Sequence, residues 1–185
     1  MITGNELLDG LVAFAVIVIA VVWFVMAYNN LDAAAARTAQ AWGNVDALLK
    51  QRHEELPRFL DACQPHVQHE QALLAGILAA RAAVFGARQT RDTVALGRAE
   101  NELHAGLGRF VALIEARPEL KGDDTLAVLR KRLASLESGL NERRAIFNDA
   151  VQQNNTAVRQ FPSNIVALLG GFRSVPPFDV ERGQP

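Results

Sequence analysis

Among the 185 residues, the segment that comes nearest to a catalytic motif is His69-Glu70-Gln71-Ala72-Leu73. A zinc-protease helix needs two imidazoles one turn apart with a glutamate between them. Here a leucine stands where the second ligand must be, so the site lacks most of its donors. His66 and His69 are three apart and share a helix face, but no third ligand accompanies them, and they read as a solvated or capping pair. His53 and His104 are isolated. Ser135, Ser138, Ser163 and Ser174 lie in no strand-turn-helix elbow that would expose a nucleophile. Gly170-Gly171 has neither the preceding strand nor the helix-start lysine of a phosphate loop. The single cysteine, Cys63, excludes an internal disulfide framework and reads as a small core residue. The sequence therefore predicts no catalytic residue, no metal site and no cofactor.

What remains is a question of place and shape. Half of the residues are apolar and 21% are charged, enough to build a core. Lys+Arg is 19 against Asp+Glu 20, which leaves no electrostatic footprint for nucleic acid. Residues 10–31 carry no charge, and Leu11–Tyr28 is almost wholly apolar. About 20 such residues span a bilayer as one helix. Trp23 and Tyr28 sit toward the far end, where amphipathic rings suit the headgroups. A cleaved signal peptide is the rival, with Val25-Met26-Ala27 as its cleavage-like triplet. Against it, the first ten residues hold Glu6 and Asp9 and no Lys or Arg. Because Arg37, Lys50 and Arg52 all follow the span, the positive-inside rule places the N-terminus outside and residues 29–185 in the cytoplasm.

Beyond the span the apolar period is helical. A seam runs through Leu31, Ala35, Thr38, Trp42, Val45, Leu49, Arg52, Leu56, Phe59 and Cys63, alternating steps of four and three as in coiled coils. A second runs Leu126, Leu129, Leu133, Leu136, Leu140, Arg143, Phe147, Val151, Asn154, Val158 and Phe161. Leu73–Phe85 and Leu96–Ile114 mark two shorter helices. The predicted fold is all-α: an N-terminal transmembrane helix continuing into an antiparallel bundle of about four long cytoplasmic helices, near 29–64, 66–86, 92–117 and 124–160. Pro65, the stretch Gly86–Thr90 and the stretch Pro118–Asp124 are the expected breaks. Asp92 and one of Asp123 or Asp124 are the expected caps, and Pro57 an expected kink. The division that follows is a tail at 1–10, an anchor at 11–28, the bundle at 29–160 and a membrane-proximal apolar tail at 161–185.

Short turns make successive helices antiparallel, so the fourth returns to the bilayer. Phe161, Ile165, Leu168, Leu169 and Phe172 are then expected near the level of Tyr28. The same alternation pairs the first and fourth arms with residue numbers summing to about 189. It sets Trp42 against Phe147, Leu49 against Leu140, Arg52 against Glu137, and Asp46 against Arg143 or Arg144. Charges on a seam must pair, since an unpaired buried charge is very costly. Such pairs would fix the register of two long helices. Partner or ligand binding by this charged belt is a second reading, and an acid–base pair a third.

The chain resembles the LemA family. Tyr28-Asn29-x-Leu31 follows the apolar span, then Trp42, Val45-Asp46, Leu49-Lys50-x-Arg52 and Leu56-Pro57. Next come His69-Glu70, Ala80-Arg81 and Pro118-Glu119-Leu120-Lys121. The densest block is Glu137-x-x-Leu140-x-x-x-Arg144-x-x-Phe147-Asn148-x-x-Val151-x-x-Asn154-Asn155, followed by Phe161-Pro162-x-Asn164 and Gly171-Phe172. Phe147 and Asn154 stand where the family usually has tyrosines. The resemblance implies a signal-anchor in a bacterial inner membrane, a cytoplasmic helical bundle and no established enzymatic activity. It also implies membrane-associated partners, among them membrane proteases. The expected function is a non-enzymatic scaffold or adaptor that presents helix faces, with the bilayer and a membrane-associated protein as partners. Homo-oligomerisation is expected from the alanine-rich stretches 33–41 and 79–83. The rivals are a lipid-shaping protein acting through its tail and an enzyme with a site in the bundle.

Overall fold

The structure is a computed structural model and describes residues 4–63, 70–117 and 124–179. These form five helices: α1 (Gly4–Cys63), α2 (Gln71–Thr90), α3 (Thr93–Glu115), α4 (Asp124–Arg159) and α5 (Ser163–Gly170). No strand occurs among the described residues. His66, His69, Pro65 and most of the expected break at Pro118–Asp124, with Asp123, lie outside them.

Anchor and first arm are one helix of 60 residues. From Leu8 to Met26 every residue is exposed, and Ala27, the next, is buried. From there the buried positions step by three and four through Leu31, Ala34, Thr38, Trp42, Val45, Leu49, Arg52, Leu56, Phe59 and Cys63. The seam passes through Ala34 rather than Ala35, because in a run of identical alanines size does not mark the inner face. Pro57 lies inside α1 and removes the N–H that would serve the carbonyl of His53. Arg81 of α2 supplies the missing donor, its Nε lying 3.1 Å from His53 O.

The expected break at Gly86–Thr90 is not made. Helix α2 runs through it to Thr90, since one glycine costs a helix only about 1 kcal/mol and Ala87 is buried on its inner face. Arg91 then turns the chain with φ 54°. Asp92 caps α3 by accepting from Val94 N at 3.1 Å and Ala95 N at 2.9 Å. At the end of α5 two glycines act differently. Gly171 takes the left-handed φ of 72°, whereas a Cβ on Gly170 would lie 2.7 Å from the Phe172 ring.

The chain divides into two compact units, and α1 and α4 each contribute to both. The first holds residues 1–39 and 150–175. Its core is Ala27, Leu31, Val166 and Ala167, flanked by Ala157, Val158 and Phe172. Thr38 Oγ1 lies 3.0 Å from Ala34 O and 3.2 Å from Ala150 O.

The second unit holds residues 40–149 and 176–185. Here α1 and α4 are antiparallel: Trp42 packs on Phe147 with centroids 5.5 Å apart, and Arg132 reaches Glu55. Helices α2 and α3 are tightly apposed, with a Cβ on Gly106 falling 3.0 Å from Ile77 Cγ1. Phe59 of α1 meets Phe110 of α3 edge-on at 5.7 Å. Glu115 of α3 pairs with Arg130 of α4 at 3.0 Å.

Candidate functional site

Besides the Arg132–Glu55 contact from α4, three polar contacts among the described residues tie α2 and α3 to α1 in the second unit. Arg52, 3% exposed, pairs with Glu100 of α3, 4% exposed. Burial pushes the Glu100 carboxyl up, and the neighbouring Arg52 guanidinium offsets this only in part. Glu137 adds to the upward push and Arg144 opposes it. Asp46 accepts from Arg88 of α2 at 2.6 Å. The third contact joins Arg81 and His53, with Arg81 Nη2 at 3.0 Å from His53 Nε2. A guanidinium only donates, so Nε2 must accept and the proton sits on Nδ1. That Nδ1 is buried with no partner among the described residues. Burial lowers the His53 pKa, and Arg81 and Arg88 lower it further. The ring also stacks on Phe85 at 4.7 Å, and Arg88 lies over that same Phe85.

The expected Arg52–Glu137 pair is therefore not the one formed. Glu137 faces His104 of α3 at 3.3 Å, on the surface. Nor does Asp46 pair with Arg143 or Arg144. Arg143 is exposed rather than on the seam, and Arg144 is half-buried with its guanidinium 5.8 Å from the Phe178 ring centroid. Summed residue numbers fix height along two antiparallel helices but not the direction in which a side chain projects. Arg52 projects toward α3 and Asp46 toward α2. Glu100 had a visible signal: Leu96, Glu100, Leu103, Leu107, Phe110 and Ile114 step by four and three, so it fills the gap in the α3 seam.

The C-terminal segment is held by asparagines of α4. In the second unit Asn148 makes a two-bond clamp on Phe178, accepting from its N at 2.8 Å and donating to its O at 3.0 Å. Phe178 is fully buried. Thr93 Oγ1 also donates to Pro176 O at 3.3 Å. In the first unit Asn155 grips Val175 in the same way, with both bonds at 2.8 Å. The buried Asn154 donates to Arg173 O at 3.2 Å. An amide side chain offers a donor and an acceptor side by side, which matches a peptide edge. These residues satisfy backbone and are not poised for chemistry.

Also in the first unit, Phe172 lies edge-on to Tyr28 with centroids 5.4 Å apart. Phe161 does not end the α4 seam inside the core: the helix stops at Arg159, and Phe161 is exposed.

Among the described residues no group of three His, Cys, Asp or Glu side chains could hold a metal. A groove of about 800 Å³ between α2 and α3, in the second unit, is walled by Glu70, Leu73, Asn101, Glu102 and Arg109. Its described lining contains no serine, cysteine or histidine, so it offers no nucleophile–base pair.

Comparison of the sequence with known proteins finds relatives. A sequence model of the LemA family matches residues 41–185. A stretch of 69 residues is 29% identical to the magnetosome protein MamQ of Magnetospirillum gryphiswaldense, covering 37% of this chain and 25% of that protein. Magnetosome proteins MamQ 1 and MamQ 2 of Paramagnetospirillum magneticum are 30% identical over 67 residues, again 25% of their own length. The matched part thus spans about a quarter of these curated relatives.

Proposed function

The chain belongs to the LemA family, and from that premise we propose that it is a membrane-anchored helical scaffold without enzymatic activity. One observation carries the reading: the abrupt change along α1 at Ala27. Before it, an uninterrupted exposed surface of 16 uncharged, almost wholly apolar residues, Leu11–Met26, is covered by nothing among the described residues. After it, the same helix turns a regular seam inward. A bilayer is the solvent that accommodates the first part. Helix α2 is also long and apolar enough to cross a membrane by composition. It instead buries Ile77, Ala80, Val84 and Ala87 and commits Arg81 and Arg88 to α1.

In this reading the part of α1 after Tyr28 and helices α2 to α4 form an antiparallel bundle on the cytoplasmic side of a bacterial inner membrane, with residues 1–10 outside. The closed Arg52–Glu100 pair and the Asp46–Arg88 and His53–Arg81 contacts serve register, not catalysis. The helix faces are offered to a membrane-associated protein, with membrane proteases among the partners the family suggests. Two experiments test it. A cysteine introduced by Thr3→Cys should react with an impermeant thiol reagent from outside intact cells, and a reporter at residue 185 should not. Labelling at residue 185 would overturn the orientation. Purification of the full-length protein in mild detergent should bring down a stoichiometric membrane-associated protein. Turnover by the protein alone, or isolation with no companion, would overturn the scaffold.

A further inference from the structure

Helix α5 reads Ser-Asn-Ile-Val-Ala-Leu-Leu-Gly, and its two faces behave differently. Val166 and Ala167 are buried against Ala27 and Leu31 of α1. Around the helix, Ile165 is 51% exposed, Leu168 83% and Leu169 72%, and Phe161 just before it is 76% exposed. Four large apolar side chains at one spot on a surface mark a place that something else covers.

Its location says what. The α1 residues that α5 leans on begin immediately after Met26, the last residue of the exposed apolar run. Leu31 lies only about 8 Å farther along the helix axis than Met26. Trp23 and Tyr28 bracket this level, and Phe172 rests on Tyr28. Such rings collect at the boundary of headgroups and acyl chains. Charge agrees with place. Between 27–39 and 150–175 the first unit carries Arg37, Arg159 and Arg173, all exposed, against the single acid Asp32. Arg159 and Arg173 flank α5 in the sequence, and exposed cations beside an apolar helix face suit an anionic interface.

We infer that α5 is a second membrane contact, lying in the headgroup–acyl boundary where α1 leaves the bilayer. Phe161, Ile165, Leu168 and Leu169 enter lipid, and the arginines meet anionic headgroups. The inference rests on the reading of α1 as an anchor. It assigns the tail a lipid surface rather than a protein partner or a second copy.

The test uses the full-length protein, with Cys63→Ala throughout, in vesicles of phosphatidylethanolamine with about one third phosphatidylglycerol. Three variants, Val16→Cys, Gln152→Cys and Leu168→Cys, each carry one environment-sensitive fluorophore, and doxyl-labelled lipids act as quenchers. The label at 168 should shift to the blue and lose roughly half its emission to a shallow doxyl, as expected for a site about 5–10 Å below the headgroup surface. The label at 16 should be quenched by deep doxyl, and the exposed Gln152 site by neither. Leu169→Cys provides a second reading of the same face. An unquenched label at 16 would overturn the anchor and this inference with it. Quenching at 16 with a water-like label at 168 would leave the anchor standing and overturn the inference alone. So would a blue-shifted label at 168 that doxyl lipids do not reach, because the face is then covered by another copy of the chain.

Discussion

Arg52 of α1 and Glu100 of α3 form an ion pair that solvent hardly reaches, each residue less than one-twentieth exposed. Removing one partner strands the other charge in the interior. Glu100→Ala should therefore cost about 3–5 kcal/mol, whereas Glu137→Ala, which loses only a surface contact to His104, should cost about 0–1 kcal/mol. Denaturant midpoints of the detergent-solubilised protein would separate the two. Combining Glu100→Leu with Arg52→Met should recover most of the loss, since the buried charge is then gone from both sides.

The pH response should carry two opposite signatures. The Glu100 carboxyl is raised in the fold, so its contribution is full at pH below the ordinary carboxylate range and is lost as pH rises through the raised value. His53 is lowered, so its contribution is present above the ordinary histidine value of about 6.5 and is lost as pH falls through the lowered one. Melting curves of wild type and His53→Gln isolate the second. Acidification from roughly pH 7 to roughly pH 5 should destabilise wild type more than the variant. Equal slopes would mean that His53 titrates as it does in water.

The asparagine clamps should control protection of the C-terminal segment. Asn155→Ala removes two hydrogen bonds to Val175, and Asn148→Ala removes two to Phe178. At about 0.5–1.5 kcal/mol per bond, each variant should lose about 1–3 kcal/mol. Hydrogen exchange should show the Val175 amide opening in the first variant and the Phe178 amide in the second. Asn155→Asp should be worse than alanine, because a carboxylate oxygen would then face the Val175 carbonyl.

Two helical glycines should answer an alanine substitution with opposite signs. A Cβ on Gly86 meets nothing within 4 Å, so Gly86→Ala should stabilise by about 0.5–1 kcal/mol through helix propensity alone. At Gly106 the new methyl would press on Ile77 Cγ1 at 3.0 Å. There the strain of overpacking, about 1–3 kcal/mol, should exceed the gain. Ile77→Ala removes that Cγ1, so in thermal melts it should cost less in the Gly106→Ala background than in the wild type.

Much of the helical order was legible because periodicity reports burial directly. The expected α1–α4 register of about 189 meets a sum of 189 at Trp42–Phe147 in the second unit and 188 at Thr38–Ala150 in the first. The charge partners were not legible. Register is a one-dimensional quantity, whereas choosing between Glu137 and Glu100 needs the angle at which Arg52 leaves its helix. The asparagines stood out as a dense motif, Asn148 and Asn154-Asn155, but nothing local in their spacing showed that the partner would be backbone rather than another side chain. Gly86 misled because a glycine marks a turn only where neighbouring contacts do not hold the helix together.

The gap that Pro57 leaves in α1 has a temporal side. Most of that helix can close its own backbone bonds as soon as it is made. The carbonyl of His53 cannot: its donor, Arg81, lies 28 residues farther along the chain. Until that stretch has been synthesised and has coiled, the first helix carries a weak joint near its C-terminal end, open to water and free to bend. The proline thus makes the rigidity of the longest element conditional on the arrival of the next one. Arg81→Ala should return α1 to that earlier, bendable state in an otherwise finished protein.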